Sequence, residues 1–183
     1  MIEKWDVLKR EIVGDFGLFK IHDKQARSPR TGKVRPFKAI HFPDWAMVLP
    51  LTAEEEVVMV RQYRHGIERV CLELPGGLVD SIDVSPKDAA GRELLEETGF
   101  AADSIVPLGR CFSLPALLGN EGFFYLATGA RKVSEPDPDP GEDIEVLRVP
   151  LERVGAMIDS GEIDHGMVQL AFFYYWRSKG WRR

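Results

Sequence analysis

The chain of 183 residues carries 44% hydrophobic and 29% charged residues, at a formal net charge of −5. That length suits a sizeable core, and the acidic balance argues against non-specific nucleic-acid binding while leaving room for an anionic substrate bridged by a metal. Cys71 and Cys111 have no partner at metal-ligand spacing, no apolar run approaches the ~18 residues of a membrane span, and "MIEKWDVLKREIV" lacks the apolar centre of a signal peptide, so a cytoplasmic location away from membranes is expected.

The first half reads as β-rich. "WDVLKREIV" and "FGLFKIHD" alternate apolar and polar residues, "SPRTGK" is a turn cluster, and "VRPFKAIHF" resumes the alternation. "WAMVLPL", "EVVMVRQYR" and "CLELP" follow as short runs rich in β-branched or aromatic residues. A helix is expected after Ser85, which can cap it, with Pro86 at the first helical position, Asp88 completing a capping-box pattern and Gly99 supplying a left-handed stop. Gly91 is the one weak helix former inside it. Strands are expected again at "SIVPLGRCFS", "GFFYLATGA" and "IEVLRVP". Between the last two, "SEPDPDPGED" is a loop, because alternating prolines cannot sustain a ladder. Helices around "LERVGAMIDS" and "HGMVQLAFFYYWRS" close the chain, and "RSKGWRR" reads as a solvated basic tail. Strands, one central helix, more strands and terminal helices make an α/β (α+β) sandwich. Residues 1–45 are expected to form a small N-terminal β subdomain or dimerisation arm, and residues 46–183 the main domain.

The central helix poses the functional question. Glu93 and Glu97 lie one turn apart on one side with Glu96 beside them, in the last turn, where like-charge repulsion and the helix dipole both disfavour negative charge. A bound hard cation would reverse both penalties. A solvated acidic face is the plainer alternative for such a cluster.

The context resolves that choice. Gly77, then Arg92-Glu93-Leu94, Glu96-Glu97, Gly99 and Phe100 resemble the signature of the Nudix hydrolases, a glycine-rich loop leading into a catalytic helix. One position departs: the early glutamate of the pattern is replaced by Asp83, with one residue added before Arg92. The resemblance implies a Nudix-like α/β/α sandwich with a mixed sheet. It assigns Glu93, Glu97 and the Gly76 carbonyl as ligands for Mg²⁺, with Mn²⁺ as an alternative, and Glu96 as an assisting carboxylate. Arg92 would orient the carboxylates or brace the loop, paired with Asp83.

The flanks narrow the branch. "RQYRHGIERVCLELPGGLVD" and "GKVRPFKAI" resemble the ADP-ribose and nucleoside-diphosphate-sugar pyrophosphatases, over Gly14 to Val149 and most strongly over Arg61 to Phe100. By that resemblance Arg64 and Arg61 become candidates for holding the substrate, Glu73 aligns with a carboxylate near the metal site, and Phe37 aligns with an aromatic that stacks on a purine. The attacking water would be oriented or deprotonated by Glu142 as first choice and Glu145 as second, with Glu121 in "SLPALLGNEGFF" as a further candidate. His22, His41, His65 and His165 show no ligand spacing. The implied activity is hydrolysis of ADP-ribose or a related nucleoside diphosphate sugar by a homodimer, with no nucleic-acid or membrane partner. GDP-mannose hydrolysis, and a non-catalytic Nudix-fold regulator, are the alternatives.

Overall fold

The computed structural model describes residues 1–181, so Arg182 and Arg183 of the basic tail lie outside the described residues. The strands are β1 (Asp6–Asp15), β2 (Lys20–Arg27), β3 (Val34–His41), β4 (Trp45–Leu51), β5 (Glu56–Arg64), β6 (Arg69–Glu73), β7 (Gly76–Leu78), β8 (Phe100–Ala101), β9 (Ser104–Cys111), β10 (Gly122–Thr128), β11 (Arg131–Lys132) and β12 (Ile144–Pro150). The helices are α1 (Pro86–Thr98), α2 (Val154–Asp159) preceded by a 3-10 turn at Leu151–Arg153, and α3 (Gly166–Ser178). Among the described residues no helix is long and apolar enough to cross a membrane.

The chain divides into two compact units. One comprises Met1–Pro43 together with Phe112–Glu121. Its sheet is antiparallel in the order β1-β2-β3, and β1 is exposed along nearly its whole length, with Val7, Leu8, Ile12 and Val13 open to solvent. "FGLF" is a turn rather than strand, because Phe16 donates to the Phe19 carbonyl and Gly17 takes a positive φ. The segment 112–121 joins this unit through backbone pairing: the Ile40 amide donates to the Leu117 carbonyl at 2.9 Å, and Asn120 Nδ2 donates to the Pro43 carbonyl at 2.8 Å. A boundary drawn in sequence after residue 45 separates that segment from its partners, since long-range pairing has no local signature.

The other unit, Asp44–Cys111 with Gly122–Arg183, is built on a seven-stranded sheet ordered β12-β5-β4-β10-β9, with β6 added on β5 and β7 on β4. It is mixed, because β10 runs parallel to β4 while its other pairings are antiparallel. Alternation along the strands sorts two cores. Met47, Leu49, Met59, Phe124 and Leu126 pack with Val154 and Met157 of α2 and Val168, Ala171, Phe172 and Tyr175 of α3. On the opposite face Ala46, Val48, Val58, Tyr125 and Ala127 pack with Ala89, Ala90 and Leu94 of α1. This is the α/β/α arrangement. The short strands β7, β8 and β11 carry too few residues to show a period, and sequence reading does not find them.

Candidate active site

Helix α1 begins and ends where its local chemistry dictates. Ser85 is the extended cap, its Oγ accepting from the Asp88 amide at 3.3 Å, and Gly99 stops the helix at φ 71° with its amide donating to the Leu95 carbonyl. The capping box is closed by side chains, since the Ser85 hydroxyl donates to Asp88 Oδ2 at 2.7 Å. With Ala89, Ala90 and Leu94 committed to the sheet, the 3.6-residue period turns Glu93 and Glu97 along one flank, beside β7.

Two glycines let that flank come close. A Cβ on Gly76 would overlap the Ala46 carbonyl of the neighbouring strand, and a Cβ on Gly77 would overlap the Glu93 carboxylate. Neither has a positive φ, so proximity rather than turn geometry demands glycine here. The Gly76 amide donates to Glu97 Oε2 at 3.0 Å.

Arg92 organises the exposed side of the cluster. Its Nε and Nη2 donate to both oxygens of Asp83 at 3.1 and 3.0 Å, Nη2 also to the Leu78 carbonyl at 3.1 Å, and Nη1 to Glu93 Oε1 and Glu96 Oε2 at 2.8 Å each. Asp80 stands at 3.8 Å. The guanidinium fork thus braces the loop through Asp83, the residue that departs from the family pattern, while steering two of the three glutamates. Its hydrogen bonds hold the Asp83 carboxyl below the usual aspartate range. Leu78 contributes only a main-chain carbonyl, which no side-chain pattern announces.

Glu97 is different. It is 1% exposed, and among the described residues no basic side chain lies within ion-pair distance of it. Burial pushes its carboxyl up to about 8, against the Gly76 hydrogen bond and the more distant charge of Arg64, with the charges of Glu93 and Glu142 adding to the rise. Burial likewise pushes Glu93 up to about 6, although Arg92 opposes it. Among the described residues no three His, Cys, Asp or Glu side chains already converge on one point, because Glu93 and Glu96 are turned to Arg92 and Glu97 to Gly76. The donor set nevertheless fits a hard divalent cation. A buried carboxylate with no ion-pair partner among the described residues, one turn from a second carboxylate, takes either a proton or a cation, and oxygen donors select Mg²⁺ or Mn²⁺.

The remaining candidates separate into pairs. Glu73 is fully buried and accepts both prongs of Arg64, Nε to Oε1 at 2.8 Å and Nη2 to Oε2 at 2.7 Å. This hydrogen bonding raises the guanidinium pKa further, and the charges of Glu97 and Glu142 act in the same direction. Arg61 Nη1 meets Glu145 Oε2 at 2.6 Å, the two residues facing each other across β5 and β12. Glu145 is therefore engaged, whereas Glu142 is felt electrostatically by Glu93, Glu97 and Arg64. The loop before β12 is tied to the helix, as the Asp137 amide donates to the Glu96 carbonyl at 2.8 Å. In the first unit, Phe37 is 44% exposed and packs edge-to-face on Trp5 with centroids 5.3 Å apart, beside a cleft lined by Lys24 and residues 115–119. Glu121 belongs to that unit as well.

Three comparisons bear on this geometry. The NUDIX domain family matches residues 41–169. An ADP-ribose pyrophosphatase of Mycobacterium tuberculosis (strain ATCC 25618 / H37Rv) is 31% identical over 160 residues, covering 87% of this chain and 77% of the relative, and a GDP-mannose pyrophosphatase of Enterobacter sp. (strain 638) is 29% identical over 129 residues, covering 66% of each. A solved structure described as an ADP compounds hydrolase superposes with a TM-score of 0.86 at 23% identity, covering 98% of this chain and 97% of the other, a likeness of fold.

Proposed function

The chain belongs to the Nudix family, and from that premise we propose that it is a divalent-metal-dependent pyrophosphatase that hydrolyses ADP-ribose or a related nucleoside diphosphate sugar. The carrying observation is Glu97: a carboxylate buried beside Glu93 and the Gly76 backbone, with no basic partner among the described residues and its pKa pushed up to about 8. Glu93, Glu97 and the Gly76 carbonyl would hold Mg²⁺ or Mn²⁺, with Glu96 assisting. The bound cation would supply charge neutralisation of the diphosphate and acidification of the attacking water.

The side chains then divide the work. Arg92, fixed by Asp83, orients Glu93 and Glu96. Glu142 takes the proton of the water, whose oxygen bonds to one phosphorus as the bridging phosphorus–oxygen bond breaks. For ADP-ribose the products are AMP and ribose 5-phosphate, and water supplies every added atom. Arg64 presents its charge to the diphosphate, and Glu145 with Arg61 secures the strand after the Glu142 loop. Phe37, exposed in the first unit, is offered as a stacking surface for the base. We assign hydrolysis to the unit of Asp44–Cys111 and the chain from Gly122 onward, and self-association into a homodimer to residues 1–45 of the other unit, for which the open apolar residues of β1 are the supporting feature. The expected setting is cytoplasmic.

The test is phosphate release, coupled to alkaline phosphatase, from ADP-ribose, GDP-mannose, UDP-glucose, a dinucleoside polyphosphate and dGTP with Mg²⁺. Turnover of ADP-ribose or a nucleotide sugar, lost in Glu97→Gln, is the expected result. GDP-mannose turning over fastest would move the main activity to the second reading, which the Enterobacter relative supports. Tight ADP-ribose binding without turnover would replace catalysis by a regulatory role.

A further inference from the structure

The β5–β6 hairpin holds a charged pair that the proposed reaction does not by itself explain. Glu73 has no exposed surface, yet it sits at the end of β6 as a carboxylate, and Arg64 donates two parallel hydrogen bonds to it. The arginine is not buried to match: 40% of its side-chain surface stays open. A bidentate pair with one partner entirely inside and the other reaching out fixes the outer partner in direction as well as position. The anchored guanidinium also lies in the field of Glu97 and Glu142, which belong to the catalytic cluster.

Burying a carboxylate solely to stabilise the hairpin is a poor use of the position. Apolar residues of similar volume would serve stability as well or better, and removing one partner of such a pair strands the other charge. The arrangement makes sense if the outer guanidinium must be held still beside the reacting diphosphate.

We propose that Glu73 is a positioning residue, acting on the substrate through Arg64: its buried carboxylate clamps the guanidinium so that the open edge faces the diphosphate. The inference rests on the diphosphate hydrolysis proposed above. Glu73 touches neither substrate nor cation. An isoelectronic amide at position 73 keeps the shape but has one acceptor oxygen and no charge, so the paired hydrogen bonds from Arg64 are lost and the guanidinium is free to swing.

The experiment is a double-mutant cycle in the full-length protein with Mg²⁺ and whichever diphosphate the wild type hydrolyses best, measuring kcat, KM and the melting temperature. Glu73→Gln is expected to lower kcat/KM on the order of 100-fold, the scale of a misplacement by about 1 Å, chiefly through KM. In an Arg64→Gln background, adding Glu73→Gln is expected to change kcat/KM by less than about twofold, because its route to the substrate is already gone. The same addition should raise the melting temperature above that of Arg64→Gln alone, since it removes the stranded charge. Glu73→Asp, which keeps the charge and shortens the reach, should give an intermediate KM and covers the case in which Glu73→Gln does not fold. Equal losses from Glu73→Gln in both backgrounds, or an unchanged KM in Glu73→Gln and Glu73→Asp, would overturn the assignment. Absence of turnover by the wild type on every diphosphate would instead overturn the proposed function, and this inference with it.

Discussion

Helices α1 and α3 are both thirteen residues long and put that length to opposite uses. Helix α3 turns Val168, Ala171, Phe172 and Tyr175 into the core, with Phe172 fully buried. Helix α1 buries two alanines and Leu94, then adds Glu97 and Thr98. Each buried position of α3 gains hydrophobic free energy, while α1 gives up part of that gain to hold a carboxylate whose ionised form burial disfavours. Apolar burial is concentrated in one helix, and the carboxylates of the proposed site in the other.

Substitutions that separate these two roles test the contrast, and the largest effects are expected at their centres. Glu97→Gln should lower kcat by about 10³-fold or more while the protein stays folded, read from initial rates and circular dichroism. Phe172→Ala should do the reverse, costing about 3–5 kcal/mol in denaturant unfolding with kcat per folded molecule preserved. A loss of kcat in Phe172→Ala at full folding would break the comparison.

The pH dependence of stability sharpens it. The Glu97 carboxyl is raised in the folded protein from 4.5 to about 8, and that of Glu93 to about 6. Between those values and 4.5 the folded chain binds more protons than the unfolded one, so stability of the metal-free protein falls as pH rises from about 5 to about 8 and levels off above. The loss is on the order of a few kcal/mol. Glu97→Gln should flatten that slope, and added Mg²⁺ should raise the melting temperature more at pH 8 than at pH 5. A metal-free protein whose melting temperature climbs between pH 5 and 8 would contradict the burial of Glu97 without an ion-pair partner.

Smaller effects are expected at the supports. Gly77→Ala places a methyl group against the Glu93 carboxylate and should raise the Mg²⁺ concentration for half-maximal rate by about 10–100-fold, leaving the fold intact. Ser85→Ala removes only the cap of α1 and should cost about 1 kcal/mol with little change in rate. If Ser85→Ala cost as much activity as Gly77→Ala, the whole helix rather than the carboxylate flank would be the sensitive element.

What the sequence determined by itself was whatever depends on neighbours along the chain. Ser85, Pro86 and Gly99 mark the ends of α1 because caps and left-handed stops are local, and Glu93, Glu96 and Glu97 share a flank because the helical period places them there. Alternation likewise marked β1 and β3, and short runs rich in β-branched or aromatic residues marked β4 and β5. Tertiary structure decided the partnerships. Arg92 with Asp83, Arg64 with Glu73 and Arg61 with Glu145 are choices among many arginines and acids that only the folded chain makes. The parallel pairing of β10 with β4, and the return of residues 112–121 to the first unit, join segments far apart in sequence. The same holds for the burial of Glu97: a charged residue on an amphipathic helix carries no local mark of being covered, and its raised pKa arises only when β7 and α1 close around it.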